Sequence, residues 1–127
     1  YELIVLGASI RYGKYSPLVF KFVKNYKKIL NKKKNAFFSV NVVARKTEKS
    51  LPETNPYIQK FLKKTNWVPK KIGVFAGKVD YPNYNFINKL AIRFIMYITK
   101  GPTDISKSYE FTNWDNIKKF AQELDNL

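Results

Sequence analysis

The chain has 127 residues, and its 24 Lys and Arg against 9 Asp and Glu give a formal net charge of +15. An apolar share of 45% is enough to bury the core of one domain and too high for a disordered chain. The sequence contains 0 Cys and 0 His, which excludes Ser-His-Asp and Cys-His nucleophiles, thiolate redox chemistry and the usual zinc and iron–sulfur sites. Any chemistry must therefore come from a cofactor.

The basic charge comes almost entirely from lysine, because only Arg11, Arg45 and Arg93 are arginines. Dispersed lysines usually mark a solvated surface, whereas proteins that read nucleic acids cluster arginine on one element. We therefore favour a solvated lysine surface and expect no nucleic acid partner. A basic nucleic-acid-binding module remains the non-enzyme alternative, and it would show binding that collapses with salt.

Strands and helices alternate along the first part of the chain. Residues 3–6 form an aliphatic run that ends at Gly7, which predicts a strand buried on both faces of a parallel sheet. Ser16 and Pro17 predict the start of a helix that continues to about Leu30. Its apolar face is expected to comprise Leu18, Val19, Phe22, Val23, Tyr26, Ile29 and Leu30.

The same alternation continues to the middle of the chain. Residues 36–43 predict a second strand, and residues 72–77 predict a third. Between them, Asn55 and Pro56 predict a short helix that ends before Pro69. This order predicts an α/β fold with right-handed crossovers, helices on both faces of the sheet and a ligand crevice at the carboxyl ends of the strands.

Residues 86–99 form the most apolar segment, with 10 of 14 residues apolar or aromatic and with Lys89 and Arg93 as its polar stripe. As a helix the segment is roughly 21 Å long, too short for the ~30 Å of a bilayer core. Two interpretations remain open, a helix at a membrane interface and a helix buried in the core. An aromatic turn at residues 81–85 precedes it and is consistent with the first.

The last part of the chain predicts one strand and one helix. Residues 109–111 are a candidate short strand, and Asn113 is a candidate cap for a final helix. The core stripe of this helix is expected to comprise Trp114, Ile117, Phe120, Ala121 and Leu124.

Four groups of residues together resemble one family. They are residues 7–13 (GASIRYG), residues 38–46 (FSVNVVARK), residues 76–77 with Tyr81 and Pro82, and residues 103–104 with residues 112–114. In order and spacing they resemble the menaquinone-dependent protoporphyrinogen IX dehydrogenases, the bacterial flavodoxin-like protoporphyrinogen oxidases. The resemblance covers essentially all 127 residues and implies a single flavodoxin-like domain, a three-layer sandwich around a parallel sheet.

The resemblance also implies that the chain is an N-terminally truncated fragment. Members of the family begin with a strand, a loop that wraps the FMN phosphate, a helix and a second strand, and Tyr1 enters at the third strand. We therefore expect the chain to lack the first two strands of the sheet, to leave residues 3–6 at a bare sheet edge and to bind FMN poorly on its own.

The resemblance places the flavin-ring side of an FMN site in the loops after the first two strands of this chain. Tyr12 would stack on the ring, the Asn41 amide would hydrogen-bond it, and Arg11 or Arg45 would stabilise negative charge on reduced flavin or bind a carboxylate. The expected cofactor-binding residues are Ser9, Ile10, Arg11, Tyr12, Gly13, Asn41, Val42, Val43, Ala44, Arg45 and Gly77. The expected substrate or membrane residues are Tyr81, Tyr84, Lys89 and Arg93.

What the family implies for function is oxidation of protoporphyrinogen IX to protoporphyrin IX in haem biosynthesis, with electrons passed through FMN to menaquinone or ubiquinone. The expected location is peripheral, on the cytoplasmic face of the bacterial inner membrane. The alternatives are an NAD(P)H:quinone reductase of the same fold and an electron-transfer flavodoxin, although carriers of the latter kind are typically acidic. No acid–base residue is assigned, and Asp80 is only a weak candidate for proton handling.

Overall fold

The computed structural model describes residues 2–11 and 13–127, in which strands and helices alternate as the sequence predicts. The strands are β1 (Leu3–Ser9), β2 (Lys34–Val40), β3 (Lys71–Phe75), β4 (Lys78–Asp80) and β5 (Ser108–Glu110). The helices are α1 (Pro17–Lys32), α2 (Pro56–Thr65), α3 (Phe86–Ile98) and α4 (Trp114–Leu124). Short 3-10 turns follow β2 and β4, at Val42–Arg45, Thr47–Lys49 and Tyr81–Asn83.

Each predicted helix start is confirmed. The Ser16 side chain accepts a hydrogen bond from the N–H of Leu18 at the start of α1, with Pro17 at the first helical position. Asn55 caps α2 in the same manner, and Asn113 caps α4. Side-chain oxygens at these positions accept hydrogen bonds from backbone N–H groups that have no partner within the helix. The polar residue before each apolar stripe therefore defines where the helix begins.

The main sheet is parallel and has the order β1-β2-β3. Alternate residues of β2 point to opposite faces. Phe37 packs with buried side chains of α1 and α2, whereas Ala36 packs with Phe120 of α4. The helices thus cover the sheet from both sides, and the three-layer α/β arrangement is confirmed.

The prediction that residues 3–6 are buried on both faces is wrong. In the part of the chain that the structure describes, β1 pairs with β2 alone, and Val5 is 39% exposed. A continuous aliphatic run does not alternate with polar residues. The sequence pattern alone therefore could not show that part of β1 is exposed to solvent.

The structure also differs from the sequence pattern at the ends of two strands and along the helices. β3 ends at Phe75 rather than at residue 77. β2 ends at Val40 rather than at residue 43, because the backbone turns after Asn41 and the N–H of Ala44 donates to the Asn41 carbonyl. Several apolar positions of the predicted helix stripes lie in solvent, because each helix contacts the sheet along a narrower line than its apolar arc. These exposed residues are Leu18, Tyr26 and Ile29 on α1, and Trp114 and Ala121 on α4.

A smaller unit follows β3 and holds α3 beside the main sheet. β4 and β5 pair as antiparallel strands, with Val79 opposite Tyr109. The buried residues of this unit are Val79, Tyr81 and Met96, the last from α3. Among the described residues, no helix is both long and apolar enough to cross a membrane.

Candidate functional site

A cavity of about 400 Å³ lies where the carboxyl ends of β1, β2 and β3 meet, and one face of α3 forms its far wall. This end of a parallel sheet is the usual ligand position in α/β folds, because the loops that leave the strands converge there. The strand ends and the loops contribute residues 9–11 and 13 around the end of β1, residues 40–43 and 45 around the end of β2, and residues 76–79 after β3. From α3 come Asn88, Ile92, Ile95, Met96 and Thr99, with Tyr84 just before the helix.

Two glycines shape the loops around the cavity. Gly77 has a φ of 79°, and a Cβ placed there would lie 2.8 Å from Val40 Cγ1, so the chain can turn this closely past β2 only without a side chain. Gly13 has a φ of 77° within a tight turn that Arg11 and Lys14 close through reciprocal backbone hydrogen bonds of 2.8 and 3.2 Å. Among the described residues other than the chain neighbours of Gly13, no atom lies within 4 Å of a Cβ built there.

A buried chain of polar side chains supports the wall formed by the end of β2. The Tyr15 hydroxyl lies 2.6 Å from Ser39 Oγ, which accepts a hydrogen bond of 2.8 Å from Asn41 Nδ2. Burial raises the pKa of Tyr15 to about 12, although the bond to Ser39 offsets part of this rise. Asn41 lines the cavity, but both of its amide hydrogens point at protein partners, Ser39 and Asn55. The amide therefore braces the wall, which leaves it no free N–H for a flavin ring.

Arg45 ties the loop after β2 to the end of α3. Its guanidinium donates to the Val42 carbonyl at 3.0 Å and to the Thr99 carbonyl and hydroxyl at 3.1 and 3.0 Å. It also lies 5.9 Å from the ring centre of Phe111, and burial lowers its pKa. Arginine has five N–H donors, and counted over the described residues two of them remain for a ligand. The first role of Arg45 is therefore to position α3 across the cavity.

The structure brings most of the predicted site residues to one place. Those that line the cavity are Ser9, Ile10, Arg11, Gly13, Asn41, Val42, Val43, Arg45, Gly77 and Tyr84. Tyr12 lies outside the described residues. Ala44 is buried below the surface and does not line the cavity. Lys89 and Arg93 lie on a flank of α3, away from the lining.

Two predictions in the segment after β3 are wrong. Tyr81, expected at a substrate or membrane surface, is 0% exposed and donates its hydroxyl hydrogen to the Pro102 carbonyl at 2.8 Å. Its aromatic ring fills the core of the β4–β5 unit. Asp80, considered for proton handling, does not line the cavity, and hydrogen bonds from Ser108 and Asn83 lower the pKa of its carboxyl group. Because Asp80 lies outside the cavity and its carboxyl group is ionised at neutral pH, it can neither accept a proton from a ligand bound there nor donate one to it.

The sequence analysis did not assign a side of α3 to the cavity, because the helix is apolar on nearly all sides. Asn88, Ile92 and Thr99 recur at helical intervals and line the cavity together with Ile95 and Met96. The opposite side of the helix is exposed and apolar, so α3 is not the buried core helix that was one interpretation. We name this side the outer α3 face, and it comprises Phe86, Ile87, Leu90, Phe94, Tyr97 and Ile98, which are 44–77% exposed.

Residues 1–106 match the flavodoxin domain family. The chain is 45% identical over 124 residues to a Leishmania major protein named protoporphyrinogen IX dehydrogenase (quinone), with 98% of this chain and 54% of the relative covered. It is 42% identical over 127 residues to the protein of the same name from Escherichia coli K12, with 100% of this chain and 70% of the relative covered.

The chain spans about half the length of the Leishmania relative. No solved structure gives a significant match to this chain. The family match covers most of the chain, and the Escherichia coli relative aligns along all of it. The chain therefore belongs to the flavodoxin domain family, in the group whose members are named protoporphyrinogen IX dehydrogenase (quinone).

Proposed function

We propose that the protein is an FMN-dependent oxidoreductase that oxidises protoporphyrinogen IX and passes the electrons to a membrane quinone. The observation that carries the proposal is the cavity at the carboxyl ends of β1, β2 and β3, in a flavodoxin domain whose relatives bear the name of this activity. Because the chain has 0 Cys and 0 His, redox chemistry in this cavity requires a bound cofactor.

The lining of the cavity fits a flavin ring. Its walls are apolar at Val42, Ile92 and Met96, and Gly77 lines it with backbone atoms alone. A flat ring with polar edges needs apolar contact on its faces and backbone hydrogen bonds at its rim. When bound, the flavin supplies the two-electron redox chemistry.

The residues of the chain would bind and orient the cofactor and exclude water from the cavity. The loop after β1, at residues 9–11 and 13, and the 3-10 turn at Val42–Arg45 would hold the cofactor from two sides. Arg11 is exposed at the rim, where its guanidinium can pair with an anionic group. Ile92, Ile95 and Met96 exclude water from the side where α3 closes the cavity.

We further propose that the outer α3 face rests on a membrane surface. Six large apolar side chains of one helix face solvent there, with Lys89 and Arg93 on its flank. A helix with an exposed apolar face and a basic edge fits the boundary between acyl chains and anionic head groups. In this position the inner face of α3 would line the cavity while its outer face contacts the lipid that contains the quinone.

The redox activity is tested anaerobically on the protein, expressed with any sequence that precedes Tyr1 and loaded with FMN. Protoporphyrinogen IX should bleach the flavin absorbance, and a quinone should restore it. Bleaching by NAD(P)H alone would instead identify an NAD(P)H:quinone reductase. A failure of this cavity to bind flavin would contradict the proposal.

The membrane contact is tested with vesicles that contain anionic lipid. Phe94→Asp with Ile98→Asp should abolish co-sedimentation, since both side chains are more than half exposed and the substitutions leave the core intact. Val68→Asp is the matched control, because Val68 is 83% exposed and precedes β3, at the opposite end of the sheet. Unchanged vesicle binding by the α3 variant, or equal loss in the control, would refute the membrane contact.

A further inference from the structure

A second cavity, of about 440 Å³, adjoins the first on the side of α1 and α2. Ile10, Gly13 and Tyr57 line both cavities, so the loop after β1 and the start of α2 form the boundary between them. The floor of the second cavity is aromatic, with Phe20 and Phe61 among its lining residues. An apolar ligand in the first cavity could therefore extend into the second past this loop.

The charged residues that line the second cavity are all basic. Lys60 and Lys64 stand one turn apart on α2, and Lys14 faces them from the loop after β1. No Asp or Glu is among the described residues that line the cavity. Within the described part of the chain, the ion pairs involve Lys71 and Lys107 and none of these three lysines.

The three lysines are therefore placed to receive an anion. Lys64 Nζ lies 5.0 Å from the ring centre of Phe20, which holds the ammonium group at the edge of the aromatic floor. An ammonium group beside an apolar cavity suits a ligand with a flat apolar body and a terminal anionic group. A free inorganic anion would leave the aromatic floor without a contact.

We propose that the second cavity binds the carboxylate-bearing edge of the tetrapyrrole substrate, with Lys60 and Lys64 as its main cationic partners and Lys14 as a third. This inference rests on the proposed function and identifies where the substrate is anchored. The carboxylates remain at the basic rim, and the apolar ring system extends past Ile10 and Tyr57 toward the first cavity. The lysines determine binding and orientation and take no part in electron transfer.

The experiment measures binding of protoporphyrin IX, the stable oxidised porphyrin with two carboxylates, and of its dimethyl ester in the same detergent. Lys60→Gln with Lys64→Gln should weaken binding of the diacid by about tenfold and change binding of the ester by less than about twofold. Lys63→Gln is the control, because Lys63 is an exposed lysine of α2 that does not line the cavity. All these substitutions are at exposed positions, and thermal melting would verify the fold.

Three results would overturn the inference. The first is equal affinity of the wild-type protein for diacid and ester, and the second is an equal loss of affinity for both in the double variant. The third is loss of the preference for FMN over riboflavin in the double variant, which would identify the flavin phosphate as the anion. Failure of the proposed function is separate, because it appears in the wild-type protein as flavin that protoporphyrinogen IX does not bleach.

Discussion

The side-chain amides of Asn41 and Asn55 face each other beside the cavity, with Asn55 Nδ2 2.8 Å from Asn41 Oδ1 and Asn41 Nδ2 3.4 Å from Asn55 Oδ1. Asn55 also accepts from the N–H of Ile58 as the cap of α2 and donates to the Lys49 carbonyl. One buried pair thus joins the end of β2, the loop after it and the start of α2. The cavity wall is held at these three points.

Asn55→Ala should destabilise the protein by about 2–4 kcal/mol, because the change removes a helix cap and leaves the buried Asn41 amide with Ser39 as its remaining partner. Asn85→Ala removes an exposed cap, the one that accepts from the N–H of Asn88 at 2.8 Å, and should cost only about 1 kcal/mol. Denaturant unfolding of the two variants provides the comparison. Equal costs would show that the buried pair adds nothing beyond the cap.

Arg45→Lys should loosen the attachment of α3 to the cavity. A lysine keeps the charge but cannot reach the Val42 carbonyl and both Thr99 oxygens together with the geometry of a guanidinium. We expect faster hydrogen exchange in α3 and flavin affinity reduced by about tenfold. Arg93→Lys makes the same change at an exposed position of α3 and should alter neither measurement. Unchanged exchange in the Arg45 variant would contradict this role.

Gly77→Ala should destabilise the protein more than Gly13→Ala, although both glycines have nearly the same positive φ. Each substitution incurs the strain of a left-handed conformation, about 1 kcal/mol. At Gly77 the added methyl group also meets Val40 at 2.8 Å, whereas at Gly13 it meets open space. We expect a total of about 2–3 kcal/mol for Gly77→Ala. If the two variants melted at the same temperature, the close approach of this turn to β2 would be refuted.

The strands of the main sheet and the helices that begin at Pro17 and Pro56 could be predicted because their signals are local. An aliphatic run, a polar cap and a proline at the first helical position each act within a few residues. β4 has no such signal, since three residues at Lys78–Asp80 become a strand only by pairing with a segment about 30 residues later. Its assignment depends on tertiary contacts.

The candidate site likewise has some features with a local sequence signal and others that depend on tertiary contacts. The loops after β1 and β2 could be predicted to meet, because the carboxyl ends of parallel strands lie at one edge of a sheet. The pairing of Asn41 with Asn55 spans 14 residues and leaves no periodic trace. α3 is apolar on nearly all sides, so periodicity could not show which side lines the cavity and which faces solvent. Tyr81 was misplaced for a related reason, since an aromatic residue in a turn gives no indication of burial.

Tyr15 should make stability fall with rising pH between about 10 and 12. Its pKa is raised from 10.0 to about 12 in the folded protein by burial, so the folded state retains a proton that the unfolded state loses above pH 10. The contribution is fully present below pH 10 and is lost as the pH passes through the folded pKa. After allowance for partial solvent access, we expect a loss of about 1–2 kcal/mol.

Tyr15→Phe isolates this effect from the titration of the lysines and the other tyrosines, which both proteins share. The variant loses the 2.6 Å hydrogen bond to Ser39 and should be less stable than the wild type at pH 8. The difference between the two proteins in free energy of unfolding should then narrow as the pH rises toward 12, because only the wild type has a Tyr15 proton to lose. A difference that stays constant over this range would mean that the Tyr15 hydroxyl titrates as it does in water, and that the buried polar chain behind the cavity wall does not exclude solvent.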